Sequence, residues 1–156
     1  MPYSIHIRRT FQAPREKVFA CWTQKDQLEK WMCKDVPAHQ TNFVQLDVRT
    51  GGKYVMEIPV EDGGKYIGHG VYREVRAPEK LVFTWAWDRV PPKEGDALPT
   101  TESLVTVELF DLGDTTEMVF THELLDSVTD RDDNDKGWRG CFLALEHSLT
   151  AGLAAG

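Results

Sequence analysis

Residues 53–66 read KYVMEIPVEDGGKY, and the fold follows from this stretch. Tyr54, Met56, Ile58 and Val60 occupy every second position, the spacing of a strand that buries one face. Asp62-Gly63-Gly64 supplies the residue types of a tight hairpin, so Tyr66 to Val75 is read as the returning strand. On the N-terminal side, Val44, Leu46 and Val48 alternate up to a second turn signal, Gly51-Gly52. On the C-terminal side, Ala77-Pro78 ends the returning strand. Leu81, Phe83, Trp85 and Trp87 then share one face of the next. Val105, Val107 and Leu109 mark a further strand, joined through Gly113-Asp114 to one carrying Met118, Phe120 and His122. Strands at this spacing predict an antiparallel meander. Between Asp88 and Thr101, Pro91, Pro92, Gly95 and Pro99 predict a long loop, either an exposed connection or a lid.

The two ends of the chain change the pattern. Tyr3, Ile5, Ile7 and Phe11 form an initial half-buried strand in which Arg9 interrupts the apolar face. Pro14 suits the first turn of a helix whose apolar stripe is Val18, Phe19 and Trp22. Thr23 and Asp26 have the spacing of a capping pair opening a second short helix, with Leu28 and Trp31 turned inward. Near the C-terminus Trp138, Phe142, Leu145, Leu149 and Leu153 follow a helical period. A helix from about Thr129 to Gly152 spans roughly 36 Å, enough to cross a sheet. Gly137, Gly140 and Ala144 lie beside that stripe and predict either a close backbone approach or a kink. The expected class is α+β in the order β-α-α-β6-α, one domain over residues 1–156, with a curved antiparallel sheet wrapped around a long C-terminal helix.

Composition narrows the function. Of the 156 residues 41% are hydrophobic and 28% charged, as in ordinary globular proteins, and no run approaches a membrane span. The N-terminus carries no apolar leader stretch, so a cytoplasmic location is expected. Cys21, Cys33 and Cys141 are odd in number and lack C-x-x-C spacing, which reads as thiols rather than a disulfide framework or a zinc site. A formal charge of −7 opposes nucleic acid and anionic membranes as partners.

A twisted sheet is concave, and a straight helix laid across it touches the rims and stands off in the middle. The expectation is an apolar cavity for a small hydrophobic or aromatic molecule. Its predicted lining is Trp31, Tyr54, Met56, Trp85, Trp87, Phe120, His122, Trp138, Phe142 and Leu145. The same aromatics are equally the residues that would fill such a space as plain core. His122 and Tyr54 fall in register with the apolar positions, giving the sparse polar groups typical of a small-molecule site.

Several segments together resemble the activators of the heat-shock-protein-90 ATPase, in their single-domain bacterial branch. They are Ala13-Pro14, Val18-Phe19, Trp22-Thr23, Leu28 and Trp31; Asp47, Arg49, Gly51-Gly52 and Tyr54; and Gly70 through Val75. They continue with Pro78 to Trp85, Val105 to Leu109, Thr121-His122, Gly137-Trp138 and Leu145. The resemblance implies the helix-grip fold of the SRPBCC or START-like superfamily, in the same element order. It also implies hydrophobic ligand binding, a link to the stress response, and a chaperone as a possible partner. Helix-grip relatives often pair, so a homodimer with an exposed Trp at its face is a further expectation. Founding members also carry a separate N-terminal domain, whereas here the first strand begins at Tyr3.

No H-E-x-x-H, G-x-S-x-G or P-loop pattern is present, and no cofactor or metal is expected. Gly68-His69-Gly70 lacks the third glycine of a dinucleotide fingerprint. Asp130, Asp132, Asp133 and Asp135 read as carboxylates at a helix N-terminus rather than a calcium loop. His122 is the one candidate acid or base for a cyclase, dehydratase or hydrolase reaction, with Tyr54 or Asp47 assisting and His69 as a possible cross-strand neighbour. Its alternative reading is a buried, hydrogen-bonded core histidine. Asp47 and Arg49 are read as a charge pair beside the Gly51-Gly52 turn, and Cys141 as a small apolar filler. Three functions follow: a carrier or sensor of a small hydrophobic molecule, a cavity enzyme using His122, or an accessory protein acting on a chaperone ATPase.

Overall fold

Alternation of apolar residues is realised as seven strands that enclose the helices on one concave side. The computed structural model describes residues 3–33, 40–60, 63–95 and 99–154, the last four by backbone alone. Strand β1 (Tyr3–Phe11) leads into helices α1 (Arg15–Thr23) and α2 (Lys25–Trp31). Strands β2 (Asn42–Leu46), β3 (Lys53–Pro59), β4 (Lys65–Arg76), β5 (Lys80–Val90), β6 (Ser103–Asp111) and β7 (Thr116–Leu125) follow, and helix α3 (Val128–Ala154) ends the chain. The strands lie in the order β1-β7-β6-β5-β4-β3-β2, all neighbours antiparallel. Only β1 leaves chain order, crossing to pair with β7 after the two short helices have been placed beneath the sheet.

The inward positions are largely those the alternation marks. Ile5, Ile7, Tyr54, Met56, Ile58, Leu81, Phe83, Val105, Val107, Leu109, Met118 and Phe120 are buried, as are Trp138, Phe142, Leu145 and Leu149 of α3. Arg9 keeps its place on the inner face because its guanidinium reaches Glu146 of α3 at 2.9 Å. Asp62 of the expected hairpin lies outside the described residues, as does the side chain of Leu153.

Three local expectations are corrected. In β2 a bulge between Phe43 and Gln45 shifts the register, so Phe43 is buried and Val44 is 58% exposed. Thr23 does not cap α2. Its hydroxyl donates to Phe19 O at 3.0 Å, and Gln24 stands at the cap. Strand β5 runs through Val90, pairing Asp88 and Arg89 with β4, so the connection to β6 begins later than Asp88. Helix α3 begins at Val128 with Ser127 accepting from the Asp130 amide at 3.0 Å. It is one continuous helix past Gly137 and Gly140.

Gly70 shows why a glycine stands in mid-strand. A Cβ there would come within 2.0 Å of Thr84 O and 2.7 Å of the Tyr54 ring. Tyr54 thereby lies flat across β4 and donates its hydroxyl to Thr84 O at 2.5 Å. No helix among the described residues is long and apolar enough to cross a membrane.

Candidate functional site

The space between sheet and helix is filled in its middle and open at one end. In the middle, Trp22 of α1 meets Trp31 of α2 edge-on with centroids 4.6 Å apart. Phe120 of β7 packs on Phe142 of α3 at 5.1 Å and on Trp138 at 4.7 Å. Trp31, Phe120, Phe142 and Leu145 have no exposed surface. A remnant of about 10 Å³ survives beneath Tyr54, Met56, Tyr72 and Phe83, room for at most a single water. Among the described residues the middle therefore holds no ligand-sized cavity: side chains from α1 and α2 reach it from below and occupy it.

At the end of the sheet nearer the start of α3, a cleft of about 210 Å³ remains. Trp85 and Trp87 of β5 form one wall, Gly137, Trp138 and Cys141 of α3 another, and Met32 and Cys33 at the end of α2 a third. Asp133 and Asn134 supply a polar rim. Trp85 and Trp87 meet edge-on at 5.5 Å, and Trp85 lies 4.9 Å from Trp138. The Trp85 indole N–H is buried without an acceptor among the described residues. Gly137 lines the cleft without a side chain of its own.

Of the ten predicted lining residues, the cleft brings together Trp85, Trp87 and Trp138. Tyr54 and Met56 border only the small remnant, while Trp31, Phe120, Phe142 and Leu145 are packed core. Met32, Cys33, Gly137 and Cys141 were not predicted as lining. Gly137 and Cys141 sit one residue before and three after Trp138 on the helix, and that spacing is the signal that would have found them. Cys33 gives none in sequence.

His122 lies beside the cleft rather than in it, and its bonding fixes its state. Trp138 Nε1 can only donate, and it lies 3.0 Å from His122 Nδ1, so Nδ1 is the bare nitrogen. Nε2 then carries the proton and donates to Ser103 Oγ at 2.7 Å, whose own hydroxyl donates to Trp85 O at 3.0 Å. Burial lowers the imidazole pKa to about 4, which agrees with a neutral ring. Its one basic lone pair is occupied by an indole N–H, so it has no free nitrogen with which to act as a base.

The proposed assistants do not converge on His122 either. Tyr54 is fully bonded, and burial pushes its phenol well above the ordinary range. Asp47 pairs at the surface with Arg49 at 2.9 Å. His69 is exposed and faces Val55 and Ala86, far in register from His122, which faces Ile5 and Val105. No Trp is exposed: four are buried and Trp87 is half-buried, so the expected dimer signal is missing. Among the described residues no group of His, Cys, Asp or Glu is placed to hold a metal.

A wider depression of about 880 Å³ runs outside the helices, between α1 and α2 and the far half of α3. Exposed Lys17, Gln24, Lys30 and His147 border it, and none of its described lining residues is a Phe, Tyr or Trp. Size alone does not make it the site. The cleft is smaller but walled by three indoles, and it has a buried donor in need of an acceptor.

The model of the family described as "Activator of Hsp90 ATPase homolog 1-like protein" matches residues 12–150. None of the curated proteins matches the chain in sequence. Solved structures share its fold. A protein of Arthrobacter aurescens superposes with a TM-score of 0.80 at 24% identity, covering 95% of this chain and 86% of that one. A protein of Chromobacterium violaceum gives 0.78 at 22%, covering 92% and 94%. The AHSA1 protein of Silicibacter pomeroyi gives 0.75 at 19%, covering 96% and 99%.

Proposed function

This chain belongs to the family of Activator of Hsp90 ATPase homolog 1-like proteins, and on that premise we propose that it is a cytoplasmic carrier or sensor that holds a small planar aromatic molecule in the cleft at Trp85, Trp87 and Trp138. The observation that carries this reading is the cleft itself: about 210 Å³, with indoles on two sides, opening beside a core that is otherwise filled. Offset and edge-on ring packing is worth about 0.5–1.5 kcal/mol per pair beyond area burial, so three indoles favour a flat guest. The volume sits below the usual range of roughly 300–1,000 Å³ for drug-sized ligands and fits one or two fused rings. The unpartnered N–H of Trp85 favours a guest that carries an acceptor.

Titration with indole and quinoline, followed by ligand-observed NMR, tests the reading. Trp87→Ala, which removes a half-buried wall, is expected to weaken either probe about tenfold while leaving the thermal midpoint nearly unchanged. Absence of saturable binding by the unmodified protein overturns the proposal.

The family's name supports a second reading, an accessory protein acting on a chaperone ATPase. Stimulation of a purified Hsp90 ATPase by this chain is its expected outcome, and an unchanged rate removes it.

A further inference from the structure

Two of the three cysteines, Cys33 and Cys141, line the same cleft and are joined by a hydrogen bond. Cys33 follows the last turn of α2, and its φ of 60° places it in the left-handed region. That turn aims its amide at α3, where it donates to Cys141 Sγ at 3.1 Å, across 108 residues of chain. The N–Cα bond adds about 1.46 Å, so Cys33 Cα lies within about 4.6 Å of that sulfur. The sulfur stands roughly 2.8 Å from its own Cα, so the two Cα atoms lie within about 7.4 Å of one another, a span that includes the about 4.4–6.8 Å usual for a disulfide. Both residues line the cleft. Cys33 is half-exposed and Cys141 buried, so one thiol is open to an oxidant and the other stands behind it.

We propose that Cys33 and Cys141 form a redox-active dithiol that peroxide oxidises to a disulfide, tying the end of α2 to the middle of α3. The Cys33 thiolate attacks one oxygen of hydrogen peroxide, breaking the O–O bond; hydroxide leaves, takes up a proton, and a sulfenic acid remains. Cys141 then attacks the sulfenic sulfur as a thiolate, breaking the S–O bond and forming the S–S bond, with the oxygen leaving as a second water. Each thiol contributes one electron and one proton, and the peroxide is reduced to two waters. Cys21 takes no part: it stands in α1 and lines the outer depression rather than this cleft. The bridge crosses the wall between Met32 and Gly137, so its formation fixes the width of the proposed binding cleft. The chemistry of the pair does not depend on any ligand being bound there.

The test is treatment of the whole protein with a small excess of hydrogen peroxide, then non-reducing peptide mapping by mass spectrometry. The expected result is a Cys33–Cys141 cross-linked peptide lighter by two hydrogens, with only Cys21 left to react with a thiol reagent after denaturation. Cys141→Ser is expected to trap the sulfenic acid on Cys33, detected with dimedone, while Cys21→Ser leaves the bridge intact. A protein in which Cys33 passes straight to sulfinic acid, or in which no bridge forms, overturns the proposal. Indole binding by the reduced protein is read separately. Loss of that binding with the bridge intact counts against the ligand reading alone, and the converse counts against the dithiol alone.

Discussion

The middle and the end of the same sheet–helix interface use the same residue types to opposite effect. At the middle, Phe120 and Phe142 meet Trp22 and Trp31, which two short helices deliver from below, and only a remnant of about 10 Å³ survives. At the end, Trp85, Trp87 and Trp138 face Gly137 and two thiols, and a cleft remains. An aromatic side chain thus fills or lines according to what stands opposite it. Here a third element reaches one place and a glycine occupies the other.

The contrast is broken most strongly at its filled half. Phe120→Ala is expected to cost about 3–5 kcal/mol, read as a lower urea midpoint, because neighbours packed on all sides cannot collapse into the hole. A cost below about 1 kcal/mol would mean that the middle is as loose as the end.

The boundary between the halves is sharpened by pH. His122 holds a folded-state pKa of about 4 against an ordinary value near 6.5. Between those values the unfolded chain binds a proton that the folded one refuses, so its contribution to stability is complete above pH 6.5 and is lost as pH falls toward 4. At 1.36 kcal/mol per pH unit the loss is about 3 kcal/mol, about 2 of it between pH 7 and pH 5. Urea unfolding across that range measures it against His122→Asn, whose amide oxygen can stand at the Nδ1 position and accept from Trp138 without titrating. Equal slopes for the two proteins would show that His122 does not carry the effect.

The smallest effect belongs to the open half. Gly137→Leu places a better helix former in α3, so stability is expected to rise by up to about 1 kcal/mol. The same side chain enters the cleft, and indole binding is expected to vanish. Retained binding in that variant would move the site elsewhere.

Much of this architecture was legible in sequence because alternation and helical period report which face is buried, and burial here is one-sided. The element order and the inner faces of β3, β6, β7 and α3 follow directly. Val44 misled because a single inserted residue inverts a strand's faces, and nothing local to residues 42–46 announces the bulge. Thr23 misled because its hydroxyl found a carbonyl one turn back before it found an amide ahead. The cleft was hidden for a different reason. Trp85 and Phe120 look alike along the chain, and only the distant residues opposite them, Gly137 for one and Trp22 for the other, separate a wall from a plug. Likewise His122 shows its register in sequence, while its partners Ser103 and Trp138 come from two other elements.

The hydrogen-bonded run from the Trp138 indole through His122 and Ser103 to the Trp85 carbonyl links two sides of the cleft through the core. Those sides form a fixed jaw, since moving either breaks a buried bond. The third wall, the turn at Met32–Cys33, is tied to α3 in its turn through the Cys33 amide and Cys141 Sγ. A guest of a different thickness then meets walls that are each fastened to another, and discrimination among guests follows from the set width between them.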